Sequence, residues 1–498
     1  MLHRIRRQIL ELELPREQGA YALQQRASRV FQEQVLPELD KVFSRIAPAD
    51  RIVRLDRLEI DLGNIGESGW ERRFVERCVE QIARQVADAA FEVGEAGHQP
   101  ETLAPVENAQ HIAAYFLETG LLPWYAKGWT LNELEETINN LSEEAMAAFS
   151  RSLLPIFQRD ERSVQRLAQQ FSPVFSEKIV SLALGFNGGW VSRAVQIRQQ
   201  QTGKLLSRLH RAVFFQTLLR VSGSVLQNLP PEPTVLAQFF EAEIPQPVRR
   251  KAGAKDAPSE TVLTKKAVPE HLVPTNTPSA ELGDEPSSSQ SAQRPEDQPP
   301  SEPSTEKRPN LPIETRQSVS RKVASATAQG IVVEGAGLVL FGPYLAAFFE
   351  HLGIHLSESL ELLESSPAQT RAVHLLHYLA TGEERPEEHQ LAFPKILCGI
   401  PLETPVPQEL ELSEAEKTEA GNLLEAVVRN WPALKNTSTD GLRNGFVRRN
   451  GLVRWQEDRQ AWVLQVERMA QDILLDRLPW TISVVRLPWM TGMIQVEW

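Results

Sequence analysis

Residues 477–498 read RLPWTISVVRLPWMTGMIQVEW, and this stretch decides that the chain is an α+β protein rather than an all-helical one. Its apolar and β-branched runs predict two final strands, over 482–485 and 493–498. The motif Arg-Leu-Pro-Trp occurs twice within it, at 477–480 and 486–489. We therefore expect a mainly helical α+β fold that ends in a tryptophan-rich module.

Tryptophan is concentrated at this end of the chain, since six of the ten tryptophans lie between Trp431 and Trp498. So much flat apolar area is difficult for a short module to bury completely, and aromatic residues are enriched at partner interfaces. Core packing is the competing interpretation for each single side chain. The candidates for a partner interface are Trp431, Trp480, Trp489 and Trp498.

Length, charge and cysteine content exclude several classes of protein. A chain of 498 residues is too long for one hydrophobic core, and a net charge of −12 argues against a nucleic-acid binder. Only Cys78 and Cys398 occur, so no disulfide framework is predicted and a reducing compartment fits. The N-terminus lacks the apolar run of a signal peptide, and the longest uncharged run, 335–349, is too short to span a bilayer. We expect cytoplasmic synthesis without direct membrane insertion.

A compositional boundary divides the chain. No aromatic residue occurs between Phe240 and Phe341, and the interval is rich in Pro, Ser, Glu, Gln and Lys. Such a segment buries too little surface to offset the entropy lost on ordering. The sequence therefore predicts a disordered linker over 241–330 that joins two folded halves.

Each half shows its own periodicity. Leu10, Leu12 and Leu14 alternate with glutamates, as do the apolar residues of 58–62 with acidic ones, and both patterns predict strands. With helices over 16–46 and 70–92, they predict a strand-helix-strand-helix module over 1–98. Residues 105–240 are predicted to be a helical module, in which Thr130 and Glu133 form a capping box.

The second half is predicted to be an α+β module over 331–498. Helices are expected near 344–352, 357–364, 367–381 and 413–430. The dipeptide Asn450-Gly451 indicates a hairpin turn, and the alternation over 462–466 indicates a strand.

No catalytic or cofactor signature is present. Walker, Gly-x-Ser-x-Gly, His-Glu-x-x-His and EF-hand patterns are absent, and Gly335-Ala336-Gly337 lacks the third glycine of a dinucleotide site. The best metal candidates are His374, His377, His389 and Cys398, but their irregular spacing favours packed histidines and a buried thiol. We therefore predict no catalytic, cofactor or metal residues, and no enzymatic activity.

Six strings, in order along both halves, resemble the contractile injection system tape measure family. They are HRIRRQILELEL at 3–14, RLDRLEIDLG at 54–63, FLETGLLPW at 116–124, AVHLLHYLATG at 372–382, NWPALKNTS at 430–438, and DRLPW at 476–480 running on to RLPW at 486–489.

The resemblance implies a non-enzymatic component of a phage-tail-like particle, placed in the inner tube or at its baseplate end. Its expected partners are the inner tube protein, baseplate and spike proteins and a tube cap, with several copies of the chain around the tube axis. An assembly chaperone or cargo adaptor that leaves the finished particle is the alternative, and a metal-dependent enzyme using the histidine set ranks third. The protein composition of purified particles separates the first two.

Overall fold

The fold is α+β and mainly helical. The computed structural model describes residues 3–6, 8–14, 19–46, 51–55, 57–66, 68–91, 101–202, 207–225, 313–356, 366–490 and 492–498. We call residues 3–225 the N-terminal half and residues 313–498 the C-terminal half. Among the described residues, no helix is both long and apolar enough to cross a bilayer.

The first helices of the chain form a small layer. Helix α1 (Ala20–Val30) continues through a π turn (Phe31–Val35) into α2 (Leu36–Ile46), and this rod packs against α3 (Trp70–Phe91). Their shared core contains Phe31, Val35, Leu39, Phe74 and Cys78. The helices predicted over 16–46 and 70–92 are confirmed within the described residues, because a long apolar stripe specifies the buried face of a helix.

The strands predicted at the two Leu-Glu alternations are wrong. Residues 8–14 and 57–62 belong to no strand, whereas the short strands β1 (Ile52–Arg54) and β2 (Glu101–Leu103) form an antiparallel pair. The carbonyls of Glu59 and Asp61 accept hydrogen bonds from glutamines of α3, at 2.9 Å each, instead of from a neighbouring strand. Period-two alternation thus identifies the apolar face of an extended segment but does not supply a pairing partner.

A compact helical module follows. It comprises α4 (Pro105–Thr119), α5 (Leu131–Asn139), α6 (Glu143–Arg159), α7 (Glu161–Gln170), α8 (Pro173–Ala183), α9 (Trp190–Thr202) and α10 (Arg208–Val225). The predicted capping box at Thr130 is confirmed, since the Thr130 Oγ1 accepts from Glu133 N at 3.2 Å and Glu133 Oε2 accepts from Thr130 N at 2.9 Å. The predicted module continues to 240, and its residues after 225 lie outside the described ones.

The C-terminal half surrounds the largest core. Its helices are α11 (Ile313–Gln329), α12 (Gly342–His351), α13 (Pro367–Thr381), α14 (Ala392–Leu397), α15 (Glu414–Asn430) and α16 (Thr439–Leu442). Helical turns of 3₁₀ or π type occur at Ala336–Phe341, Glu388–Leu391, Pro432–Leu434, Arg443–Val447 and Ala470–Arg477. The helix predicted over 357–364 lies outside the described residues.

A five-stranded mixed sheet completes this half. Its strands are β3 (Ile331–Val333), β4 (Gly451–Gln456), β5 (Ala461–Val466), β6 (Val484–Val485) and β7 (Met493–Glu497), in the order β3-β4-β5-β7-β6. Only β5 and β7 run parallel, with Trp462 opposite Ile494. One face, carrying Ile331, Val453 and Leu464, packs on the core.

The hairpin turn expected in this half is corrected. The turn predicted at Asn450-Gly451 is wrong, because Gly451 pairs with Val466 inside the sheet and residues 457–460 connect β4 to β5. A Cβ at Gly451 would lie 2.8 Å from that of Ala336, so the glycine serves close packing rather than a turn.

The linker predicted over 241–330 ends earlier than expected. Residues 241–312 lie outside the described ones, but helix α11 occupies 313–329. Val323 and Thr327 are buried, and Lys322 Nζ donates to Glu118 Oε2 at 2.5 Å. Few apolar residues are needed for such a helix, because most of its stability comes from docking on the rest of the fold.

A buried ionic network joins the two halves. Glu388 Oε1 lies 3.2 Å from Arg166 Nε and 2.9 Å from Lys395 Nζ, and all three side chains are almost completely buried. Arg166 also donates to the carbonyls of Leu117 and Glu118 at the end of α4. Burying a charge costs much free energy unless the charge is paired and hydrogen-bonded. Loss of any one of these three groups would leave another charge buried without its partner.

Polar contacts extend the same junction. Glu388 N donates to Gln170 Oε1 at 3.0 Å, and Gln170 Nε2 donates to the Val406 carbonyl at 3.3 Å. The Glu387 carboxylate accepts from Leu131 N, the first amide of α5, at 3.0 Å. A carboxylate at a helix N-terminus is stabilised by the free amides and by the helix dipole.

Gly120 permits this close approach. It ends α4 in the left-handed region, at φ 76°, and a Cβ there would lie 2.6 Å from Glu388 Oε1 and 2.9 Å from Arg166 Nε. The two halves are thus docked through a helix end at which a side chain has no room.

We predict that Glu388→Gln lowers the free energy of unfolding by about 3–5 kcal/mol, because two buried cations lose their counter-charge. The matched control is Glu383→Gln. Glu383 pairs with Arg448 at 2.6 Å, but its side chain is 60% exposed, so its loss should cost less than about 1 kcal/mol. Urea denaturation of both variants measures the difference, and similar losses would contradict a dominant role for the network.

Candidate partner interface

Two of the four candidate tryptophans belong to the core. Trp431 is fully buried against Phe446, with ring centroids 4.9 Å apart, and its Nε1 donates to the Leu474 carbonyl at 3.3 Å. Trp489 is also buried, and its Nε1 donates to the Leu397 carbonyl at 2.8 Å. Neither side chain is accessible to a partner, so the interface prediction is corrected for these two positions.

Trp480 and Trp498 lie at the surface and are half-buried. The Trp480 ring meets Tyr344 edge to face at 5.4 Å, and its Nε1 donates to the Leu340 carbonyl at 3.0 Å. Trp498 Nε1 donates to Asp472 Oδ2 at 3.1 Å. Both rings are oriented by their own hydrogen bonds while one part of each remains exposed, and for these two the interface assignment stays a prediction.

The other apolar side chains over 469–484 are also exposed or partly exposed. None of the residues in the turn Ala470–Arg477 is buried, and Ile473 is 72% exposed. Several exposed apolar residues within one short stretch of chain favour an interaction site more than a single exposed residue does. We call this surface the terminal apolar strip: Met469, Ile473, Leu474, Leu475, Leu478, Trp480, Ile482, Val484 and Trp498.

A buried arginine fixes the base of the terminal apolar strip. Arg449 is buried, and its Nη2 donates to Asp472 Oδ1 at 2.6 Å. The other oxygen of Asp472 accepts from Met469 N at 2.8 Å and from Trp498 Nε1. One carboxylate therefore ties Trp498 to the turn over 470–477 and holds this part of the strip rigid. A surface that is already rigid loses little conformational entropy when it binds a partner.

Sequence patterns did not reveal Arg449 or Asp472. They are 23 residues apart and belong to no motif. Asp472 does lie three residues after Met469, the position from which a carboxylate reaches back to the amide that begins a turn. That local signal indicates a helical turn but not the arginine beneath it.

The histidines considered as metal ligands are packed side chains. His374 Nε2 contacts the Pro407 carbonyl at 2.7 Å, and the His389 ring lies edge to face with Phe116 at 6.5 Å. Within the part of the chain that the structure describes, no three His, Cys, Asp or Glu residues are placed to hold a metal ion. Burial raises the pKa of the Cys398 thiol, which favours the protonated form over a metal-binding thiolate.

Gly335-Ala336-Gly337 has a packing role. A Cβ at Gly337 would lie 1.9 Å from the Phe446 carbonyl oxygen, so two backbones meet there directly. The glycine pattern reflects this contact between the turn over 336–341 and the turn over 443–447.

We predict that His377 makes stability dependent on pH. Burial, followed by the nearby His374 and Arg448, lowers the pKa of His377 from 6.5 to about 4. The fold holds the neutral ring, so its contribution is complete above pH 6.5 and is lost as the pH falls towards 4. A shift of this size corresponds to about 3 kcal/mol.

Urea denaturation of the wild type and of His377→Leu, at about pH 7 and about pH 4.5, checks this prediction. The variant should lose about 2–3 kcal/mol less between the two pH values, because leucine has no proton to bind. The same pH dependence in both proteins would contradict it.

Comparison with known proteins gives a family for the whole chain. The family model described as contractile injection system tape measure protein matches residues 2–498. No curated protein matches the chain, and no solved structure matches it. Since the match includes both halves and the segment between them, the chain belongs to the contractile injection system tape measure protein family.

Proposed function

We propose that the protein is a non-enzymatic tape measure and assembly protein that lies in the inner tube or at its baseplate end. There it helps to set tube length and links the tube to the spike and baseplate. The observation that carries this proposal is the family match over residues 2–498. Its partners are the inner tube protein, the baseplate and spike proteins and a tube cap, and several copies surround the tube axis.

The docked halves limit how such a ruler can work. Residues before 226 and after 312 contribute to one compact body, held together by Glu388 and its two cations. A linker stretched between two distant anchors requires the halves to separate and this network to break. If the halves stay docked, both ends of the linker remain at the same body. The linker then extends as a loop folded back on itself, and this doubled chain sets the length.

The terminal apolar strip is the proposed anchor to the baseplate or spike. It combines exposed aliphatic side chains with two oriented indole rings, a composition typical of the centre of protein interfaces. All of its residues belong to the C-terminal half, so the N-terminal half contributes nothing to this proposed anchor.

We predict that deleting residues 255–294 shortens the tubes. A Pro-rich chain extends by about 3.1 Å per residue, so the loss is about 120 Å for a single stretched linker and about 60 Å for a doubled one. Electron microscopy of assembled particles measures the lengths.

The matched control replaces the same 40 residues with a Gly/Ser sequence of equal length, which should preserve tube length if contour sets it. Helix α11 stays intact in both variants, because it belongs to the folded body. Unchanged tube length after the deletion would contradict the ruler role while leaving the anchor role untouched.

We predict that Trp498→Ala reduces incorporation of the protein into particles, because it removes partly exposed apolar area from the terminal apolar strip. The variant should remain folded, with a smaller loss of thermal stability than a core substitution causes, because Trp498 is only partly buried. Trp431→Ala is the comparison, since loss of a fully buried indole costs about 3–5 kcal/mol and destabilises the module itself. Normal incorporation of a folded Trp498→Ala variant would argue against the anchor.

A further inference from the structure

The two halves are folded around separate hydrophobic cores. Both cores of the N-terminal half contain only residues of that half. The core of the C-terminal half takes one buried residue from the other half, Leu121, and Tyr115 packs against it. Because burial of apolar area is the main term that stabilises a fold, each half keeps most of its own stabilisation when the other is not docked on it.

The junction between the halves is polar instead. Besides the Glu388 network it contains two further ion pairs. Arg208 Nε lies 2.9 Å from Glu409 Oε1, and Lys322 Nζ lies 2.5 Å from Glu118 Oε2. Permanent interfaces are mostly apolar, whereas polar contacts between domains of one chain are typical of interfaces that open and close.

Several acceptor oxygens at the junction lack a donor. Glu388 Oε2, Gln169 Oε1 and Glu118 Oε1 are buried, and none accepts a hydrogen bond from the part of the protein that the structure describes. Gln169 belongs to the junction because its carbonyl accepts from Arg208. An unpaired acceptor is unfavourable when buried and is solvated when exposed to water. The closed junction thus aligns the halves without satisfying every polar group that it buries.

The central contacts of the junction depend on one shared carboxylate. Arg166 donates to the Leu117 carbonyl of its own half at 2.9 Å and to Glu388 of the other half. Glu388 also receives Lys395. Without the carboxylate, both cations are buried without a counter-charge unless the halves separate and water solvates them. Loss of this one charge therefore favours separation.

The covalent connection permits the halves to separate. Residues 226–312 join α10 to α11, and a chain spans at most about 3.3–3.6 Å per residue, so this length reaches up to roughly 300 Å. Cys78 and Cys398 are both free thiols, so no disulfide crosses the junction. Only non-covalent contacts hold the halves together.

We propose that the junction is a latch, in which the two halves separate and dock again as folded units and the Glu388 network holds the docked form. Opening breaks the contacts of Glu388, Gln170 and Glu387 together and leaves the hydrophobic cores intact. In the open form, the full length of residues 226–312 is available between the halves. The inference does not depend on the ruler role of the linker or on the terminal apolar strip.

Energy transfer between two dyes on the full chain tests the proposal. Cysteines introduced at the exposed positions Glu144, on α6, and Glu425, on α15, carry the dyes, whereas Cys78 and Cys398 are buried and should remain unlabelled. We expect one transfer efficiency for the wild type and a shift of most Glu388→Gln molecules to a lower efficiency. The exposed-charge control Glu383→Gln should keep the wild-type value.

Gly120→Ala should open the latch from the other half. A Cβ there would lie 2.6 Å from Glu388 Oε1, so the halves cannot dock as closely. The matched control is Gly382→Ala. Gly382 ends α13 at φ 77°, as Gly120 ends α4 at φ 76°, but its Cβ would lie at an ordinary 3.6 Å from Arg443 Nη1. Both substitutions strain a left-handed residue to a similar degree, so only Gly120→Ala should lower the transfer.

Hydrogen exchange separates opening from unfolding. The amides of Leu131 and Glu388 donate across the junction, so they should exchange faster in Glu388→Gln and Gly120→Ala. Exchange within α6 and α15 should stay as in the wild type, because these helices pack in separate cores of the two halves.

Three results would overturn the proposal. The first is wild-type transfer in both Glu388→Gln and Gly120→Ala, because the network would then not hold the halves together. The second is loss of protection throughout a half in these variants, since the halves would then not be independent folded units. The third is lower transfer in Gly382→Ala, because strain at a helix end would then account for the opening.

Discussion

The docking of the two halves depends on one buried carboxylate. Glu388 receives Arg166 from the N-terminal half and Lys395 from its own half, in a space that a side chain at Gly120 would fill. Because unpaired buried charges are costly, the three groups hold one another in place. The neighbouring contacts of Gln170 and Glu387 add hydrogen bonds that are satisfied only while the halves remain together. The two halves thereby form one body, and any length-setting role of the segment between them is constrained by whether this junction is closed.

The body carries two surfaces of different chemistry. At the C-terminal end, the terminal apolar strip is fastened by Asp472 and Arg449 and presents aliphatic and indole groups. On the N-terminal half, the segments over 8–14 and 57–62 expose carboxylates. An apolar surface favours a partner that buries apolar area, whereas exposed carboxylates favour a partner surface of opposite charge. Two such surfaces on one body suit an assembly protein that contacts more than one component of a particle.

Much of the fold was predictable, because helices are specified locally. The apolar stripes over 20–46 and 70–91, the capping box at Thr130, and the helix over 367–381 all followed from periodicity and caps. Signals that require a distant partner were less reliable. The alternation at 8–14 and 57–62 did not become a sheet, Gly451 entered a strand instead of a turn, and α11 formed inside the predicted linker because the rest of the fold binds it.

The sequence by itself determined the family, the mainly helical α+β class and the absence of a recognisable catalytic motif, since each of these resides in strings of adjacent residues. Only the tertiary structure decided which tryptophans are core. Trp431 and Trp489 are buried while Trp480 and Trp498 reach the surface, although two of the four share the same Arg-Leu-Pro-Trp motif. The tertiary structure also decided that the two halves dock, through Arg166 and Glu388, which lie 222 positions apart in the chain. Burial and ion pairing depend on what the fold brings from elsewhere, and no local pattern encodes that.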